Sequence, residues 1–365
     1  KEAGSNHKEV SAILLDGGEI LDLATTDSSL SYEEENMMLR HFFKTLLPIL
    51  DAHPNSPWPD LVLKYCDFDI ARSCFISLAC IHIYESRKGG SDYYRKGMVH
   101  INKTLDYLLG FINSNEGRET HKGEVATLES TKKRMISSFV IIVLINVHIL
   151  FTVVDKGLST FLRFFFKVFA SVCQDAEFYE LLLQNEKRQS LAVVLSWYDT
   201  VSAIVTPDCR RPFCSPDWYG SAKTSTLTAK MMGCPGEVFQ AMSLTCIIRH
   251  EIYEKIKEID PLLDAHGEDS TEVAHVRLNY LGAYLQIHTK LLSYREAVEF
   301  GDDFSNRLKA AQCWALAVHL MLNKTVRPSP DYKIANQALL HEFIDVYGTL
   351  PELHPVRTQM VWPMY

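Results

Sequence analysis

Residues 135–154 read MISSFVIIVLINVHILFTVV, and no other stretch constrains the chain as tightly. At 1.5 Å per residue, a helix of this length spans about 30 Å, enough to cross a bilayer. Ser137, Ser138, Asn146, His148 and Thr152 interrupt it, and no comparable second span occurs. The segment therefore reads as a helix buried inside a large helical domain, not as a membrane anchor. Such burial demands other apolar helices around it.

The rest of the chain supplies them. Ser31-Tyr32-Glu33-Glu34 is a capping box, in which Ser31 takes an orphan amide and Glu34 reaches back. It opens a helix through Met37, Met38, Phe42, Leu46 and Leu47 that stops near Pro48. Residues 68–84 interleave apolar side chains with Ala71, Ser73, Cys74, Ser77 and Ala79, small enough for close helix approach. Gly89-Gly90 ends that helix, and the spacing predicts another over 92–111. Residues 158–173 carry Phe161, Phe164, Phe165, Phe166 and Phe169 around most of a helix circumference. Further helices are predicted over 189–205, from Gly233-Cys234-Pro235-Gly236-Glu237 to Asp260-Pro261, and over 273–300, 304–323 and 332–347. Pro235 suits a first helical position and Glu237 a third. No stretch alternates as a strand does. The expectation is an all-α fold, a single large multi-helix bundle of about ten helices with no significant sheet. Residues 1–30 read as a loosely packed arm, and 31–365 as the domain.

The formal net charge of −8 argues against direct nucleic-acid binding, which needs clustered Lys and Arg. The polar opening at Lys1 shows no export signal, so the chain is expected to stay inside the cell, and its apolar last residues suggest an excised fragment. The nine cysteines include no C-x-x-C pair, so no metal site is expected. Cys209 and Cys214 flank Arg210-Arg211-Pro212-Phe213 and read as two loop thiols. His341-Glu342-Phe343-Ile344-Asp345 lacks the second imidazole of a zinc hydrolase, and Asp302-Asp303 lacks the third carboxylate of a prenyl-diphosphate site. With no G-x-S-x-G, P-loop or G-x-G-x-x-G either, no catalytic residue is assigned and the chain is not expected to be an enzyme.

The order of several motifs resembles the C-terminal regulatory domain of fungal zinc-cluster transcription factors. A small-residue helix is followed by one bearing Tyr93-Tyr94. Ser196-Trp197-Tyr198-Asp199-Thr200, with Arg210-Arg211-Pro212 downstream, is similar to the family's middle aromatic–Asp helix and the loop behind it. Met231-Met232-Gly233-Cys234-Pro235-Gly236-Glu237 is the best match. A late helix with His319 before Pro328 and Pro330, then His354-Pro355 and Val361-Trp362-Pro363, completes the series over about 32–365.

The resemblance implies a regulatory domain that senses a metabolite or lipid and controls transcriptional activation through a ligand-biased equilibrium. Its alternative is a helical interaction or dimerisation scaffold with no small-molecule site. Nuclear location is implied, or cytoplasmic when inactive, with co-regulators or transcription machinery as partners, a homodimer left open, and no membrane. No cofactor is expected in this segment; zinc belongs to a DNA-binding module that this sequence does not contain. Candidate ligand-binding residues are Asn146, His148, Trp197, Tyr198, Met231, Met232 and His319. Each has a plainer reading: a satisfied core Asn or His, a core Trp beside a helix-capping Asp199, or Met as packing filler. A mostly apolar cavity is expected against 135–154, 189–205 and 231–259.

Overall fold

The structure is a computed structural model describing residues 30–50, 68–116, 145, 162–184, 186–206, 208–214, 233–259, 270–296, 303–327, 331–352, 354–360 and 363. These hold eleven helices and no strand, so the fold is all-α as the periodicity predicts. Of the arm expected over 1–30, Leu30 alone is described, and it packs half-buried against the core; Asn146, His148, Met231 and Met232 lie outside the described residues. Of 135–154, Ile145 alone is described, and it is helical and fully buried. Among the described residues no helix is long and apolar enough to cross a membrane.

Helix α1 runs over Tyr32–His41, continues through a π turn at Phe42–Leu46 and ends with Leu47–Leu50. The capping box forms: Ser31 Oγ accepts from the Glu34 amide at 3.3 Å, and the Ser31 amide donates to Glu34 Oε2 at 2.8 Å. Lys96 grips the other carboxylate oxygen at 3.0 Å. The Ser31 amide first, then Lys96, hold the Glu34 carboxyl down at about 2. The cap thus also ties α1 to the helix that carries Lys96. At the start of the π turn, Phe42 is buried and stacks on Phe75 with centroids 5.0 Å apart.

Helices α2 (Asp69–Glu85) and α3 (Ser91–Glu116) pack along their length. They come close together at Gly97. A Cβ there would sit 3.2 Å from Cys80 Cβ, Ile81 Cγ1 and the Ser77 carbonyl. The buried hydroxyls of Ser77 and Thr104 cost little, because each donates to a carbonyl of its own helix at 2.7 Å (Cys74 and Ile101). The small residues noted in the sequence thus serve helix–helix contact.

His41 Nε2 and His82 Nδ1 lie 2.9 Å apart across the α1–α2 contact, so one ring donates to the bare nitrogen of the other. Burial is the main force lowering the pKa of both rings, and the Lys88 ammonium lowers both further. His100 on α3 is lowered too, again chiefly by burial. A histidine lowered in the folded state takes up its proton more readily once unfolded. Its contribution is therefore complete above the unfolded value of about 6.5 and is lost as pH falls through the lower folded values. The urea midpoint is accordingly expected to drop between pH 7.5 and 5.5, and His82→Gln should flatten that drop. An unchanged midpoint in the unaltered protein would refute this.

The second half of the chain continues with α4 (Leu162–Val172), α5 (Ala176–Leu183), α6 (Glu186–Val205) and α7 (Gly236–Ile259). Then come α8 (Thr271–Leu278), α9 (Leu281–Glu296), α10 (Asp303–Val326), α11 (Asp331–Gly348) and a 3-10 turn at Pro355–Met360. At three places the helices depart from the sequence reading. Helix α3 runs on to Glu116 through residues read as loop. Helix α5 was not foreseen; Asp175 starts it by accepting from the Glu177 and Phe178 amides at 3.1 and 3.3 Å. The single helix expected over 273–300 is two. Ser270 caps α8, and Asn279 and Tyr280 form a turn before α9 begins. The turn lets Tyr284 point into the core, where its hydroxyl meets Asn323 at 2.8 Å.

The core falls into two contiguous clusters. The first gathers α1–α5, Ala192–Leu195 of α6 and Cys214; the second gathers Trp197 and α7–α11. Phe165, Phe166 and Phe169 fill the first, while Arg163, Lys167 and Ser171 leave one face of α4 to solvent. Helix α10 is the axis of the second, buried without a break from Ala310 to His319. No disulfide joins the described cysteines, all of which are buried.

Candidate functional site

Helix α6 belongs to both cores, and its middle turn is where they meet. Trp197 is buried in the second cluster, 4.5 Å from the Trp314 ring and 5.0 Å from that of Phe239, centroid to centroid. Tyr198 packs against both clusters, and burial pushes its phenol up to about 12. The sequence reading placed these two together, and the structure puts them at the seam.

Asp199 does not cap a helix. It lies inside α6, fully buried, and anchors the loop that follows. Arg210 Nη1 donates to Asp199 Oδ1 at 2.8 Å and to the Arg211 carbonyl at 3.0 Å, while Nη2 donates to the Asp199 carbonyl at 3.1 Å. The other Asp199 oxygen, Oδ2, accepts from the Cys214 amide at 2.9 Å. Burial pushes the Asp199 carboxyl up, against the pull of Arg210 and that amide. The guanidinium also lies over the Phe213 ring at 4.8 Å and that of Phe166 at 5.9 Å.

Helix α7 grips the same loop from the far side. Arg249 donates to the Ile204 and Thr206 carbonyls, the His250 ring reaches the Cys209 carbonyl at 3.1 Å, and Glu251 pairs with Arg211 at 3.2 Å. Arg163 of α4 pairs with Asp208. Held on three sides, Cys209 adopts a left-handed φ of 48°, which a non-glycine residue enters at a cost. Gly233, at φ 69°, makes the corresponding bend before α7 with no Cβ to oppose it. Helix α7 starts at Gly236, so Pro235 lies just before the first turn, one place earlier than the sequence suggested.

His319 belongs to a separate, partly buried network. Its Nε2 lies 2.6 Å from His288 Nδ1. The His288 ring stacks on Tyr284. The Tyr284 hydroxyl donates to Asn323, whose amide donates to Asn336 at 2.9 Å. His319 shares α10 with Trp314 but turns toward α9, so it does not join Trp197 and Tyr198. The sequence reading missed His288, Asn323 and Asn336; nothing in their local spacing marks them. Among the described residues no three His, Cys, Asp or Glu side chains are placed to hold a metal.

Residues 37–365, nearly the whole domain, match the family described as the fungal specific transcription factor domain. This chain belongs to that family. The match covers the seam on α6, the clamped loop and the second core, so the motif order read from the sequence is that of a transcription-regulatory domain. The family is one of gene regulation, not catalysis. No curated protein and no solved structure matches the chain.

Proposed function

We infer that this regulatory domain is a small-molecule sensor whose effector, a metabolite or a lipid, biases an equilibrium between repressing and activating arrangements. The observation that carries the reading is the placement of Tyr198 against both cores, next to Trp197 in one and Val193–Leu195 in the other. A ligand lodged against this turn of α6 bears on both halves at once. It shifts the equilibrium only by the difference between its affinities for the two arrangements. The Asp199–Arg210 clamp supports this role, since it ties the loop after α6 to the turn that carries Trp197 and Tyr198 through a buried ion pair. Within the parent factor the domain would work in the nucleus, on co-regulators or the transcription machinery. DNA contact would fall to a zinc-bearing module outside this sequence.

The test is a thermal-unfolding screen with sterols, amino acids and pathway intermediates, read with tryptophan emission because Trp197 and Trp314 lie together at the seam. An effector at 100 times its Kd adds ~2.7 kcal/mol to the folded state. It should raise the Tm and change the emission together. No shift with any class would favour the second reading, a scaffold without a small-molecule site, toward which the exposed aliphatic residues of α11 already point.

A further inference from the structure

We propose that the acidic, aliphatic segment over residues 9–27 docks on a basic face that α1 and α2 build together. That face gathers around the His41–His82 contact. Arg40 and Lys44 are exposed on the α1 side, and exposed Arg87 and Lys88 follow His82 on the α2 side. The turn that carries the latter two is fixed. The Arg87 amide donates to the Tyr84 carbonyl at 2.9 Å, and the Lys88 amide to the Ile83 carbonyl at 3.0 Å. The Lys88 ammonium acts on both imidazoles. Among the described residues none of these four cations is in an ion pair, although nearby Arg72, Arg95 and Lys96 each hold a carboxylate. Met37, 48% exposed, lies three residues before Arg40 and seven before Lys44, so the same face offers an apolar contact. Exposed Glu33, one turn earlier, bounds the face at that end, and half-buried Glu85 is already engaged. Four clustered cations repel one another, and in a chain of net charge −8 an acidic neighbour relieves them.

Residues 9–27 match this face in charge and in composition. They hold Glu9, Asp16, Glu19, Asp22 and Asp27 and no Lys or Arg, with Ile13, Leu14, Leu15, Ile20, Leu21 and Leu23 between. The segment is also tethered beside its target. Leu30 packs half-buried against the first core and Ser31 caps α1, so the chain joins the domain at the start of the helix that carries Arg40. Lys44 lies about 20 Å from Ser31 along that helix and its π turn. An extended chain covers ~3.3 Å per residue, so the nine residues back to Asp22 reach ~30 Å, and Glu19 and Asp16 reach farther. Linked this closely, the segment acts at an effective concentration in the ~mM range, so a contact too weak to hold a free peptide holds here. The contact involves neither Trp197 nor Tyr198 and stands apart from effector sensing.

Carbodiimide cross-linking of the whole chain tests it, because this reagent joins a carboxylate to an ammonium only where the two touch. At about 0.05 M salt, monomer-sized product should carry bonds from Asp16, Glu19 or Asp22 to Lys44 or Lys88, and about 0.5 M salt should remove most of them. Replacing both arginines, Arg40→Ser with Arg87→Ser, should cut the yield ~5-fold or more. Neither arginine reacts with the reagent, so only a loss of docking lowers the yield. The Tm should not change, since both side chains are exposed. The proposal is overturned if no such bond forms, or if the double arginine variant gives the same yield. It is equally overturned if residues 9–27 join exposed Lys255, Lys257 or Lys333 as readily. Bonds confined to dimer-sized product would mean that the segment reaches a second copy, which also overturns it.

Discussion

Replacing Arg210 by Ala is expected to destabilise the domain by ~3–5 kcal/mol, because it strands a fully buried carboxylate. With ~2.1 cal/mol/K of unfolding entropy per residue, that is a fall in Tm of roughly 4–7 °C. The guanidinium bridges Asp199 side chain, Asp199 backbone and Arg211 backbone while it covers Phe213, and no other side chain has that shape. Arg210→Lys keeps the charge but not the fork and should recover part of the loss. Removing Asp199 together with Arg210 should cost less than the two single losses added, since neither charge is then left alone. Chemical denaturation of these four variants and the unaltered protein measures all three effects. A loss below ~0.5 kcal/mol for Arg210→Ala would place the clamp among the pairs that contribute nothing.

Gly97→Leu is the second change expected to be severe. The Cβ position is bounded by the Ser77 carbonyl, which belongs to helix backbone and cannot rotate away, and by Cys80 and Ile81, both buried. A leucine must push α3 off α2, so the loss should reach or exceed the upper end of the ~1–3 kcal/mol typical of overpacking. Gly97→Ala separates two effects. It gains up to ~1 kcal/mol of helix propensity, yet its methyl group meets three neighbours at 3.2 Å. Alanine should therefore yield none of the expected gain. If Gly97→Leu unfolds at the same urea concentration as the unaltered protein, the α2–α3 contact is looser than its geometry implies.

Much of the fold was legible because helices advertise themselves locally. The Ser31 capping box, the small residues before Gly89-Gly90 and the Gly-Cys-Pro turn before α7 each depend on neighbours within a few positions. The failures have an equally local cause. Asp175 can serve as a cap or as a loop residue, and the sequence offers no way to choose. The turn at Asn279–Tyr280 sits in a stretch whose apolar spacing runs on through it, and the contact it permits, Tyr284 with Asn323, lies on another helix. Of the candidate ligand residues, Trp197 and Tyr198 came together at the seam because they are adjacent on one helix. His319 went elsewhere because its partner, His288, lies on another element.

The sequence by itself settled the fold class, the place of most helices and the regulatory family, since periodicity, caps and motif order are properties of short stretches. Tertiary structure alone decided that Asp199 holds a loop, that α6 serves two cores, and that His288 and Tyr284 of α9 and Asn336 of α11 meet His319 and Asn323 of α10. Those outcomes depend on which surfaces meet. An ion pair eleven residues apart, or a hydrogen bond between helices, exists only once packing has excluded water from around it.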